Sequence, residues 1–258
     1  MSLLVFHRGG GKSLGYPPNC FLTIKWAIEY EAKAVEYDVV YCQDNNEDKI
    51  IVIEPKLLKE NGLDINNLSW QEVKKLNVGN EKFGQCSVAT FEEIQALIPD
   101  TVFQQIHLKG ENSKTIPTLF SKLENIQNYT LTSFDLEIIR KIKETNSNTS
   151  VGWIVKPQQE RGSEGTVDLT ALVSANPDLF PDYSEEEIKN ILTKSKNLNI
   201  NIVILCGPRI RDKQIIDQVK SAGFQSGAWG VAQNLEVAKK IISFDIDRFT
   251  IDNPEKLQ

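Results

Sequence analysis

No stretch of this sequence approaches the roughly 18 consecutive apolar residues of a membrane span. The first 20 residues include His7, Arg8 and Lys12 and hold no long apolar core of the kind a secretion signal needs. Its four cysteines, Cys20, Cys42, Cys86 and Cys206, are widely spaced and form no C-x-x-C pair. That pattern speaks against a metal–thiolate cluster or a disulfide framework; free thiols in a reducing, cytoplasmic setting are the expectation. Positive charge is not in excess either. The formal net charge is -6, so neither nucleic acid nor an anionic membrane surface is expected as the main partner, although a local cationic pocket for a phosphate remains compatible with that average. Only two histidines, His7 and His107, are available for acid–base or metal chemistry.

One more absence decides the reading of the N-terminus. "GGGKS", residues 9–13, looks like the end of a phosphate-binding P-loop, but that motif requires glycine at position 6, and position 6 is Phe6. Without the leading glycine the anion-cradling turn is not formed. What remains is a short apolar run ending in His7-Arg8, followed by glycines. Lys12 is then an optional phosphate contact.

What the sequence does contain is an alternation. Apolar, β-branched runs at 3–6, 34–39, 101–108, 129–134, 150–155, 201–207, 226–231 and 247–251 read as strands, and amphipathic helical patterns separate them. The pattern "FDLEIIRKIKET" follows Ser133, a predicted N-cap; "DYSEEEIKNILTKSKN" begins acidic and ends basic, which suits the helix dipole. Eight strands alternating with helices in about 250 residues predict an α/β fold, a (β/α)8 TIM barrel, with a doubly wound open sheet as the alternative. Two segments interrupt the rhythm: 41–100, read as an insertion after the second strand, and 157–183, a long irregular connection of the kind that often serves as a lid or binding loop.

Period-2 alternation in "AVEYDVV" puts Ala34, Glu36 and Asp38 on one strand face and Val35, Tyr37 and Val39 on the other. If the apolar face packs under helices, both carboxylates point into the barrel. Two like charges in a confined site need a cation or a proton between them, and hard divalent ions such as Mg²⁺ or Ca²⁺ take oxygen ligands. In "TVFQQIHLKG" the same alternation sets Gln105, His107 and Lys109 on one face, so both histidines fall at strand ends toward one mouth. At a barrel's C-terminal mouth, His7 suits a general acid or base and Arg8 suits a phosphate clamp.

His7-Arg8-Gly9, the Asn19 that follows Pro18 before an amphipathic helix, and "AKAVEYDV" resemble the glycerophosphodiester phosphodiesterase family. Its members typically carry His-Arg-Gly, then Glu-Asn-Thr, then Gly-Ala-Asp-x-Ile-Glu-x-Asp-Val. The resemblance continues in order through "NNLSWQEVKKLNVG", "ATFEEIQAL", "IHLK", "TSFD", "GAWGV" and "IDNPEKL", nearly the length of the chain. It implies a single barrel domain over 1–258, with the insertion at about 41–90. The implied reaction is metal-assisted hydrolysis of a small glycerophosphodiester to glycerol 3-phosphate and an alcohol, a step of lipid-headgroup and glycerol metabolism. By carry-over, His7, Arg8 and Lys109 are catalytic, Arg8, Lys109 and Trp229 bind substrate, and Glu36, Asp38 and His107 hold one divalent metal ion.

The chain departs from the family pattern near the chemistry. The family's second catalytic histidine, in a His-Asp pair, aligns with Ile53, and its aspartate with Glu54. In an extended segment Glu54 points to the face opposite Ile53. A glutamate ligand aligns with His107, the glutamate before Asn19 is Pro18, and the threonine of the Trp-Thr-Val segment is Gly230. Imidazole in the ligand set favours Mn²⁺ or Zn²⁺ over the Mg²⁺ or Ca²⁺ that the resemblance implies. His107 is alternatively a substitute acid–base group. Three activities stay open: hydrolysis, binding of a phosphodiester or phospholipid headgroup without turnover, and a lyase-like reaction in which the substrate's own hydroxyl attacks phosphorus.

Overall fold

The computed structural model of the chain describes residues 2–45, 47–157, 180–231 and 234–257. Among these residues there are ten strands: β1 (Leu3–Phe6), β2 (Ala34–Cys42), β3 (Lys49–Val52), β4 (Ala89–Thr90), β5 (Phe103–Leu108), β6 (Tyr129–Ser133), β7 (Val151–Ile154), β8 (Ile202–Cys206), β9 (Gln225–Trp229) and β10 (Arg248–Ile251). Their order is β1-β10-β9-β8-β7-β6-β5-β2-β3-β4, and β1 also pairs with β2. Leaving out β3 and β4, that order returns to its start. The registers of β1–β2, β2–β5, β7–β8, β8–β9 and β9–β10 are parallel. The fold is α/β, a (β/α)8 barrel, not the open doubly wound sheet. All eight predicted barrel strands are present, each within a few residues of its expected bounds. Most of the irregular connection predicted at 157–183 falls at 158–179, outside the described residues. No helix among the described residues is long and apolar enough to cross a membrane.

The chain divides into two compact units, Phe6–Leu131 and Met1–Val5 with Thr132–Gln258. In the first, every residue of β2 is buried. Tyr37 faces outward against Phe91 of the helix Phe91–Gln95, with ring centroids 6.4 Å apart. Its hydroxyl donates to Gln104 at 2.6 Å and accepts from Gln95 at 2.7 Å, so the buried phenol carries no unpaired polar atom. Beyond the barrel strands, β3 runs antiparallel to β2 and β4 antiparallel to β3. An apolar cluster that includes Cys20, Val40, Cys42, Ile51, Ile53 and Leu58 packs there.

In the second unit, the predicted helix spans Glu185–Asn197 and opens with a reciprocal capping box between Ser184 and Glu187. Glu187 also holds the buried Arg209 at 2.9 Å, whose guanidinium lies 4.0 Å from the Tyr183 ring centroid. One predicted cap is corrected. The helix Leu136–Thr145 is capped by Asp135, whose carboxylate accepts from the Glu137 N–H at 2.8 Å. Ser133 belongs to β6, and its hydroxyl instead accepts from the Asp135 N–H at 3.1 Å.

The turn after β1 explains the glycines of "HRGGGKS". His7–Gly9 forms a single 3-10 turn in which Arg8 has φ 52° and Gly9 φ 88°. A Cβ on Gly9 would sit 2.7 Å from Thr23 Cγ2 in the helix Phe21–Glu29, so the turn can only lie this close because the side chain is missing. Gly9→Ala combines left-handed strain with overpacking and is expected to lower stability by about 3 kcal/mol. Gly62→Ala, at φ 70° with nothing within 4 Å of the added Cβ, should lose only about 1 kcal/mol. Urea unfolding of the two variants checks the difference.

Candidate active site

Six of the seven predicted site residues, His7, Arg8, Glu36, Asp38, His107 and Lys109, meet within the unit Phe6–Leu131. Strand register brings Glu36, Asp38 and His107 together. β2 and β5 are parallel with Glu36 opposite Gln105 and Asp38 opposite His107, so these side chains leave the sheet on one face. Lys109 follows β5, and its N–H continues the ladder to the Val39 carbonyl at 3.0 Å. β1 delivers His7 and Arg8 through the pairing of Phe6 with Val35.

Glu36 and Asp38 are almost fully buried, at 2% and 1% exposure. Each has one oxygen tied down. Glu36 Oε2 accepts the backbone N–H of Arg8, itself in the left-handed region, at 2.8 Å. Asp38 Oδ2 accepts from Asn19 Nδ2 at 2.8 Å, while Asn19 Oδ1 accepts the Asp38 backbone N–H at 2.9 Å. The other oxygens turn toward His107: its Nδ1 is 3.6 Å from Glu36 Oε1 and 3.3 Å from Asp38 Oδ1. Lys109 Nζ is 3.3 Å from the same Asp38 oxygen, and His7 Nε2 is 3.9 Å from Glu36 Oε2. Burial by itself raises the Asp38 pKa, but the Lys109 ammonium, the His107 hydrogen bond and Arg8 outweigh it and hold the carboxyl well below its usual range.

Glu36, Asp38 and His107 can each turn one ligand atom to a common point, and these atoms lie within 4.8 Å of one another. Bonds of about 2.0–2.4 Å to a shared ion produce separations of this size. The donor set of two carboxylates and one imidazole, with the carboxylates oriented by Arg8 and Asn19, fits a divalent cation.

The arrangement corrects the expectation at the end of β3. By resemblance Ile53 stands at the position of the family's second histidine, and alternation in an extended segment sets Glu54 on the opposite face. Instead Ile53 is fully buried in the apolar cluster, and Glu54 Oε2 lies 2.5 Å from Arg8 Nη1. The strand stops at Val52, and Pro55 opens the helix Pro55–Glu60 with Glu54 as its N-cap residue, so period-2 alternation no longer applies. Burying an isoleucine side chain stabilises by about 2 kcal/mol, which favours Ile53 inward and the carboxylate on the polar side. Burial pushes the Glu54 carboxyl up, and Asp38 adds to the rise against the pull of Arg8, Lys109 and His7. The sequence signal for this switch was Pro55, which terminates the strand. Asn19, a motif residue in the sequence, also belongs to the site through its two hydrogen bonds with Asp38.

The sequence profile of the glycerophosphoryl diester phosphodiesterase family matches residues 7–256. The chain belongs to this family. Its members are phosphoric diester hydrolases, and solved structures of the family share the barrel. The glycerophosphodiester phosphodiesterase of Thermotoga maritima is 19% identical with a TM-score of 0.70, over 100% of this chain and 99% of that one. That of Agrobacterium tumefaciens is 17% identical at 0.69, over 98% of each chain. A phosphodiesterase of Oleispira antarctica, solved with its product sn-glycerol-3-phosphate, is 17% identical at 0.74, over 100% of this chain and 96% of that one. At these identities the likeness establishes the fold. No curated protein matches the chain by sequence.

The seventh predicted residue, Trp229, ends β9 in the other compact unit. Its indole N–H donates to the Val155 carbonyl at 3.1 Å, and its ring meets Phe134 edge-on at 5.3 Å.

Asn19 offers a direct test of how this family member orients its carboxylates. Asn19→Ala removes a buried hydrogen bond to a charged acceptor and should lower stability by about 2 kcal/mol in urea unfolding. Asn19→Asp sets a second carboxylate against Asp38, raising the new group's folded-state pKa above its unfolded value. Its deficit against the wild type is therefore largest at neutral pH and shrinks as pH falls through that raised pKa.

Proposed function

We propose that the chain hydrolyses small glycerophosphodiesters, releasing glycerol 3-phosphate and an alcohol, with one divalent metal ion held by Glu36, Asp38 and His107. The observation that carries this reading is the convergence of those three donors, two of them carboxylates with one oxygen already tied down and the other turned to His107. Charge supports it. Three carboxylates, Glu36, Asp38 and Glu54, stand with two permanent cations, Arg8 and Lys109. With neutral imidazoles the cluster is net negative, and a divalent ion turns it positive, matching one phosphodiester anion.

When bound, the ion supplies Lewis-acid stabilisation of charge on the phosphoryl oxygens. The remaining work falls to the chain. Arg8 and Lys109 hold the non-bridging oxygens, Arg8 through its planar fork. His7 takes the proton of the attacking water. The whole chain acts as one barrel domain, in the cytoplasm, where the four free thiols match a reducing setting. His107 as a nitrogen ligand shifts metal preference toward Mn²⁺ or Zn²⁺.

Release of glycerol 3-phosphate from glycerophosphocholine and glycerophosphoethanolamine, screened with Mg²⁺, Ca²⁺, Mn²⁺ and Zn²⁺, tests the reading. Turnover should be metal-dependent, and His7→Ala should reduce it by about 10²- to 10⁴-fold. No release above the His7→Ala level with any metal would overturn it. A cyclic glycerophosphate as the product would identify attack by the substrate's own hydroxyl. Isothermal titration should show Mn²⁺ or Zn²⁺ binding tighter than Ca²⁺, with Asp38→Asn lowering affinity by at least about 10-fold; tighter Ca²⁺ binding would contradict the role given to His107.

A further inference from the structure

We propose that Glu54 is the second proton-transfer residue of this site, the group that protonates the departing alcohol oxygen. The proposal rests on the hydrolytic reading above. It begins from position. Glu54 is the N-cap residue of the helix Pro55–Glu60, yet its side chain makes no capping hydrogen bond. Its carboxylate is directed instead at Arg8, 2.5 Å from Nη1, and is largely buried, with 16% side-chain exposure. Helix capping therefore does not account for the residue. The neighbouring Ile53 is committed to the apolar cluster and can supply no proton.

The groups that act on Glu54 are Arg8, Lys109 and His7, which favour its carboxylate, and Asp38, which with burial favours the neutral acid. A bound phosphodiester changes that balance in one direction. Its anionic oxygens engage Arg8 and Lys109, two of the groups that favour the Glu54 carboxylate, and add negative charge beside it. Glu54 thus takes up a proton as substrate binds. In the reaction the water oxygen bonds to phosphorus and its proton passes to His7. The phosphorus–alkoxide bond breaks with its electron pair on oxygen, and the Glu54 proton moves to that oxygen. The products are a neutral alcohol, a phosphate monoester, protonated His7 and the Glu54 carboxylate. Transfer of the His7 proton to solvent and uptake of one by Glu54 restore the site.

Arg8 could instead need Glu54 only as a partner that holds its guanidinium in place, and leaving-group dependence separates the two roles. Glu54→Gln keeps a hydrogen-bond acceptor for Arg8 but has no proton to give. Two substrates are compared, glycerophosphocholine, which expels an alkoxide, and the glycerol phosphodiester of 4-nitrophenol, whose phenolate leaves without a proton. For Glu54→Gln, kcat/KM should fall by about 10²- to 10³-fold on the choline ester and by less than about 10-fold on the aryl ester. Retained aryl-ester turnover is also the evidence that the variant folds. Equal losses on both substrates would overturn the proposal and leave Glu54 as a positioning residue for Arg8. A second variant, Glu54→His, carries a transferable proton on a different group and should keep choline-ester turnover at least about 10-fold above Glu54→Gln; no difference between them would also overturn it. If the wild-type chain turns over neither ester, the hydrolytic reading falls and the proposal with it. Wild-type turnover with substrate-independent losses in both variants removes the proposal alone.

Discussion

Two carboxylates buried two residues apart on one strand face are the constraint around which the N-terminal unit is arranged. Glu36 and Asp38 are removed from water, where an unpaired carboxylate is prohibitively unstable, so every nearby element has to answer their charge. The answers are of different kinds. Arg8 adopts a left-handed backbone conformation and gives its N–H to Glu36; Asn19, also left-handed, gives its amide to Asp38. Lys109 and the Arg8 guanidinium supply charge to Asp38. Two left-handed residues and two cations are thus gathered on one pair of carboxylates, and the proposed cation and phosphodiester site rests on that arrangement.

The same economy of charge and apolar surface explains the end of β3. Two adjacent residues, Ile53 and Glu54, have to be divided between an apolar cluster and a polar mouth. Their hydrophobicity decides which goes where once Pro55 ends the strand. The result places a carboxylate against Arg8, so that the guanidinium contacts both Asp38 and Glu54. An arginine balanced in this way is held in position and stays available to a ligand that brings its own negative charge.

Much of this was legible before any coordinates. Barrel strands show as short apolar runs, and the alternation inside "AVEYDVV" and "QQIHLK" was enough to set Glu36 with Asp38, and His107 with Lys109, on one face of each strand, because the pleat of an extended backbone sends successive side chains to opposite faces. The helix Glu185–Asn197 could be read from its acidic start and basic end, which suit the helix dipole. Reading failed where the chain leaves regular structure. A hydroxyl preceding a helical pattern is the ordinary signal of a cap and points to Ser133, but β6 extends to include it and Asp135 caps the helix. Alternation was carried one residue too far at Glu54, across a strand end that only the packing of Ile53 makes definite.

The sequence by itself determined the class of fold, the family and the residues that carry charge toward the barrel mouth, since period, spacing and residue chemistry are local properties. Tertiary structure alone decided which oxygen of each carboxylate is tied down, that Asn19 is the group tying Asp38, and that Glu54 rather than Ile53 faces Arg8. Those outcomes depend on contacts between residues 19 to 46 positions apart in the chain, and distance in sequence carries no signal of approach in space; only the burial of apolar side chains elsewhere brings such groups within hydrogen-bonding reach.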